Sequence, residues 1–181
     1  MTTSGLDCAL LSAEDAAEDW KEEGGRPEHV AIALHTAASI YLQLKEGLER
    51  AAQYCSEALE LFRQREWRRA SAAVLQSYSR VECMNQNFEK ALKCAKECVL
   101  EWREMGDRRA EAEALAYEAE AALGKLNLDE HSLPAEEAQS LAEEGKQCSD
   151  QSREIFLDLG DKEGLQIVDE AENKKISSED V

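Results

Sequence analysis

"ECVLEWREMGDRRAEAEAL", residues 97–115, sets a tryptophan one turn ahead of a Gly-Asp pair and then begins a run of alanines. Whether this happens once or recurs decides the fold. Counting back from Trp102, the small residues Cys98, Ala95 and Ala91 lie four, seven and eleven positions earlier. Those spacings place them on one helix face with the ring. Phe62 is preceded at the same offsets by Ala58, Cys55 and Ala51, Trp20 by Ala16, Ala13 and Ala9, and Phe156 by Ser152, Ser149 and Gly145. The stretch is therefore one beat of a repeat, with its aromatics 42, 40 and 54 residues apart.

Other landmarks keep the 40-residue step. Arg68-Arg69-Ala70 recurs as Arg108-Arg109-Ala110, Leu75 as Leu115, and the small residues Ser39, Ser79 and Ala119 fall in register. "EMGDRRAEA" (104–112) is echoed by "DLGDKEGLQ" (158–166). The longest interval is accounted for by an insertion, "GKLNLDEHSLP" (124–134), rich in turn residues.

Each beat reads as two helices whose apolar faces are buried only by stacking on the next pair. Helices are expected at roughly 6–23, 27–45, 48–64, 67–85, 88–105, 107–126, 135–159 and 161–175. Asp107 and Asp161 read as N-caps after Gly106 and Gly160, and Pro27 suits a first helical turn. The prediction is an all-α, right-handed α-solenoid in a single domain over 1–175. Its repeat units are 27–64, 67–105 and 107–159, flanked by helices 6–23 and 161–175, and 176–181 forms a flexible tail.

Composition agrees. Aromatic residues are 6% of the 181-residue chain, there are two prolines, and good helix formers dominate. The net charge is −18 and uneven: residues 63–109 hold eleven Lys/Arg against seven Asp/Glu, residues 110–181 six against twenty. An acidic chain lacks the basic face that phosphate backbones require, so neither nucleic acid nor an anionic membrane is an expected partner. No apolar run reaches the roughly 20 residues of a membrane span, and the N-terminus has no secretory pattern. Six cysteines in helix-like sequence without that signal point to reduced thiols and a cytoplasmic location.

The segments "YLQLKEGLERAAQYCSEALELF" (41–62) and "QNFEKALKCAKECVLEW" (86–102) resemble the long, about 40-residue variety of tetratricopeptide (TPR) repeat. Ala91, Ala95 and Cys98 match the small positions of the second TPR helix, Ser39, Ser79 and Ala119 the small position of the first, and Phe88 the aromatic after the turn. The resemblance covers about residues 6–170. In place of the usual first-helix tryptophan stand His35 and Leu75, and in place of the turn glycine Glu46 and Gln86.

The resemblance implies a non-enzymatic protein-interaction scaffold or adaptor whose concave groove, lined by first helices, holds a peptide or helix of a partner. The matching groove positions are Thr36, Ile40, Gln43, Gln76, Arg80, Cys83, Ala116 and Glu120. The lysine/asparagine clamp of chaperone-tail TPRs is absent, since Thr36, Ile40, Gln76 and Arg80 stand there. The alternative is a structural subunit of a larger assembly that uses its convex face, with lysines such as Lys90, Lys93 and Lys96, and its acidic C-terminal third. Self-association through the end helices is also open.

No cofactor, metal site or catalytic constellation is expected. Cys94 and Cys98 share a helix face but lack further ligands, and Cys55 and Cys98 occupy small-residue slots, so packing is their reading. His29, His35 and His131 are scattered, and His35 reads as a polar tip at a helix interface. Arg68, Arg69, Arg108 and Arg109 open first-type helices, where the dipole disfavours cations. They are either paired with Glu66, Asp107, Glu111 and neighbouring acidic helices or anchors for an acidic or phosphorylated peptide. Glu179-Asp180-Val181 weakly matches a PDZ-binding terminus.

Overall fold

The computed structural model describes residues 3–128 and 133–173. Eight helices follow one another: α1 (Thr3–Glu22), α2 (Pro27–Leu44), α3 (Leu48–Gln64), α4 (Arg68–Met84), α5 (Phe88–Met105), α6 (Arg108–Leu128), α7 (Ala135–Leu159) and α8 (Lys162–Asn173). Among the described residues there is no strand. The helix ends fall within three residues of those expected. His131, part of the 124–134 insertion and the tail with its Glu179-Asp180-Val181 terminus lie outside the described residues.

The helices gather into two compact units, residues 1–85 and 86–181. In the first, α1, α2, α3 and α4 pack in sequence and α2 also touches α4. In the second, α5, α6, α7 and α8 repeat that order, and α6 also touches α8. The boundary falls in the turn inside the expected middle repeat, 67–105.

The small-residue face packs as the sequence predicts in three of its four copies. Ala51, Cys55, Ala58 and Phe62 on α3, Ala91, Ala95, Cys98 and Trp102 on α5, and Gly145, Ser149, Ser152 and Phe156 on α7 are all buried. Small side chains let the neighbouring helix come close. On α7, where serines replace alanine and cysteine, the Ser152 hydroxyl donates to the Ala112 carbonyl of α6 at 2.6 Å. The first copy departs from the expectation. Ala9 is exposed, Ala16 and Trp20 are half-buried, and of the expected face only Ala13 is buried, joined by Ala17. α1 packs along α2 and reaches α3 through Glu14 with Tyr54 and Lys21 with Glu57, and the Trp20 ring settles against His29 with centroids 5.2 Å apart.

The turn after each aromatic is also copied. Glu66, Gly106 and Gly160 are left-handed (φ 57°, 72° and 67°). After them the amides of Trp67, Asp107 and Asp161 donate to the carbonyls of Phe62, Trp102 and Phe156 at 3.0, 3.1 and 2.9 Å. This is the Schellman ending, and glycine is its natural residue. Three of the four copies have glycine, the first being Gly24 (φ 68°) with the Gly25 amide donating to the Trp20 carbonyl at 2.7 Å; the copy after Phe62 forces glutamate into a conformation that costs an L-residue about 1 kcal/mol or more. Glu66→Gly is therefore expected to raise stability by about 0.5–1 kcal/mol, read as a higher urea midpoint. An unchanged or lower midpoint would contradict this.

Asp107 and Asp161 cap the helices that follow. Their Oδ1 atoms accept from the amides of Ala110 (3.2 Å) and Gly164 (3.0 Å). The expected insertion is corrected in part: residues 124–128 continue α6. Gly124 is buried there because a Cβ would collide with the Phe88 ring. The cysteine reading stands as packing, with Cys55, Cys83, Cys94, Cys98 and Cys148 all buried. Burial pushes the Cys98 and Cys148 thiols up to about 12, so neither is a thiolate at neutral pH.

One buried acid stands out in α6. Glu118 is 8% exposed. Burial first, and then the Glu144 carboxylate of α7, hold its carboxyl above the usual range, with Lys96 and Arg103 of α5 and the Cys148 thiol opposing. Lys96 Nζ meets Glu144 at 2.6 Å. A raised carboxyl pKa means that the folded state keeps a proton the unfolded chain has lost, so stability falls as pH rises above the ordinary carboxylate range. Glu118→Gln is expected to stabilise the chain at neutral pH, the gain shrinking to nothing as pH falls toward 4. Urea midpoints of both proteins across pH 4–8 check this; a destabilised variant at pH 7 would contradict it.

Candidate functional site

The first unit carries an open pocket of about 650 Å³, lined by Ile32, His35 and Thr36 of α2, Phe62 of α3, Trp67 and the first residues of α4. Its construction follows from the Glu66 turn. That turn folds the chain back so that the Trp67 ring stacks on Phe62, with centroids 5.8 Å apart and planes 16° apart. Trp67 thereby occupies the position held by the capping Asp107 and Asp161 in two of the other copies. It cannot accept a hydrogen bond, and α4 begins with no side-chain cap.

The wall opposite is α2. Val30, Ala31, Leu34, Ala37, Ala38 and Tyr41 face its own core, and Ile32 lies off that stripe at 49% exposure, against 45% for Trp67. His35 Nε2 is hydrogen-bonded to Ser77 Oγ at 2.9 Å, tying α2 to α4. The Ser77 hydroxyl also lies 3.3 Å from the Ala73 carbonyl one turn back on α4. Burial lowers the His35 pKa and keeps the ring neutral at pH 7. Its expected role as a polar tip between helices stands. The cations of the pocket come from α4: Arg68 and Arg69 are both exposed lining residues.

The structure thus brings together Thr36, Arg68 and Arg69 among the residues the sequence singles out. Gln43 and Arg80 are exposed and Gln76 half-buried elsewhere on α2 and α4; in the second unit Glu120 is half-buried on α6. Three groove positions need correction. Ile40 and Cys83 are buried, and Ala116 is fully buried in a core cluster with Ala112, Phe156 and Val168, because α8 packs over that side of α6. None of the three presents a surface to a ligand.

The arginine pairs also separate. Arg108 donates to Asp158 at 3.2 Å, and Arg109 bonds both Asp161 (2.8 Å) and Glu113. Acidic residues of the neighbouring helices therefore hold this pair, Asp158 on α7 and Asp161 ahead of α8, while Glu111 takes Arg103 at 2.7 Å. Sequence reasoning misses Ile32 and Trp67. The available signal is the repeat register itself, in which an apolar ring stands where two other copies have aspartate and the first has Gly25.

Among the described residues, no three His, Cys, Asp or Glu side chains are grouped to hold a metal ion. No helix of the described residues is long and apolar enough to cross a membrane.

These features define an all-α protein of the helical-repeat class, an α-solenoid of helix-turn-helix units. No family model and no curated protein matches the sequence. Among solved structures the chain is similar to a de novo designed helical repeat protein, at 22% identity and a TM-score of 0.50, over 93% of this chain and 88% of the designed one. At that identity the likeness is one of fold.

Proposed function

We propose that this chain is a non-enzymatic interaction scaffold of TPR type, which holds a peptide or helix of a partner protein on the face presented by its first-type helices. The observation that carries this reading is the pocket between α2 and α4. It is a recess open to solvent, with two large apolar side chains exposed on it, and such exposed apolar surface marks interaction sites. Pairing of first-type helices, α2 with α4 and α6 with α8, is the arrangement that builds a ligand-bearing face in repeat proteins.

A second reading has its own support. Leu100 on α5 and Leu157 and Leu159 on α7 are 57%, 62% and 46% exposed, all on second-type helices. They suit a subunit that docks into an assembly by that face.

Affinity capture with mass spectrometry, using wild type and a Gln76→Glu/Arg80→Glu variant of equal helicity, tests the first reading. The expected result is a small set of proteins lost only from the variant. If both baits retain the same partners and a Leu100→Glu variant loses them, the second-type face is the site.

A further inference from the structure

We infer that the Ile32–Trp67 pocket docks a partner segment in which one large apolar side chain is flanked by carboxylates. This rests on the scaffold reading and gives it a ligand chemistry. The apolar part follows from the lining. Ile32 and the Trp67 ring form exposed walls over Phe62, and about 650 Å³ lies within the roughly 300–1,000 Å³ of ligand-binding clefts. Trp67 is braced by its stack on Phe62, so little side-chain freedom is lost when a ligand settles on it.

The acidic part follows from charge. Residues 63–69 carry Arg63, Arg65, Arg68 and Arg69 against Glu66 alone, a basic island in a chain of net charge −18. Arg68 and Arg69 stand on the pocket itself. An arginine already bonded remains open to another carboxylate, because the guanidinium has five donors. Arg109, one repeat on from Arg69, bonds Glu113 and Asp161 together. The Arg108-Arg109 pair likewise takes two carboxylates three residues apart, Asp158 and Asp161, around Leu159-Gly160.

Amide and indole NMR spectra of the full chain, titrated with a dodecapeptide, test this. The probe has one central Trp between Asp/Glu flanks. One control replaces that Trp with alanine, and another replaces the flanks with lysine. The expected result is saturable shifts at Ile32, Thr36 and the Trp67 indole, with both controls binding about tenfold or more weakly. Arg68→Gln/Arg69→Gln and Trp67→Ala, each checked for unchanged helicity, are expected to lose about tenfold or more in affinity while their spectra elsewhere stay native.

Equal affinity for the lysine-flanked peptide, shifts confined to other surfaces, or no shift at millimolar peptide would overturn the inference. Shifts at these residues that grow with protein concentration alone would assign the pocket to a second copy of the chain and overturn it as well. Should the Gln76→Glu/Arg80→Glu variant still lose its partners in any of these cases, the scaffold reading survives the loss of this pocket.

Discussion

Phe156→Ala is expected to cost about 3–5 kcal/mol, toward the upper end of that range. The ring is fully buried at the end of α7, among Ala112 and Ala116 of α6 and Val168 of α8, with Ile155, Leu165 and Ile167 packed against the cluster. It joins three helices, and its α6 neighbours are alanines, whose side chains cannot swing into a hole. The cavity would therefore stay open, and cavity volume sets the cost of large-to-small changes. The 12-residue α8 is too short to persist alone, so its amides should also lose hydrogen-exchange protection first. Urea denaturation measures the loss as a lower midpoint. A cost below about 1.5 kcal/mol would mean that this ring does not organise the second unit.

Gly164→Ala is expected to fail from the opposite side. Helix propensity alone favours the change by about 1 kcal/mol. A Cβ at this position in α8, however, would land on the Cδ1, Cε1 and Cγ atoms of the Phe156 ring. That ring is walled in, so the collision must be relieved by shifting α8, at about 1–3 kcal/mol. The sign should reverse once the ring is gone: in the Phe156→Ala background, Gly164→Ala puts a methyl into the vacated space and regains its helix preference. A double-mutant cycle reads this as a coupling of about 1–3 kcal/mol between the two sites. Additive effects would contradict the contact.

The helix pattern was legible because it is written in local chemistry. Small-small-small-aromatic faces recur at fixed offsets, and Gly106-Asp107 and Gly160-Asp161 mark both the stop of one helix and the cap of the next. The stop at Glu66-Trp67 uses the same backbone bonds but neither signalling residue, so it reads only as a place in the register. The pocket hides there: a tryptophan in a cap position acquires its meaning when the turn stacks it on Phe62 and aims it toward Ile32.

Of the three misplaced groove residues, Ala116 has a different cause. Residues 114–119 of α6 are buried without a break, so the helix carries no apolar stripe and no polar face from which its open side could be read. Only the packing of α8 over Ala112 and Ala116 shows that Ala116 is core. Likewise, sequence placed acids near Arg108 and Arg109, but the chosen carboxylates, Asp158 and Asp161, are 50 and 52 residues away in the chain.

The most direct measurement is photo-crosslinking in cells, with benzoylphenylalanine incorporated in turn at Thr36, on the pocket of the first-type face, and at Leu100, exposed on the second-type helix α5. The expected result is a discrete adduct with another protein from position 36, diminished by Trp67→Ala, and none from position 100. Adducts from position 100 alone would contradict a ligand-bearing first-helix face and assign the partner to the opposite kind of surface.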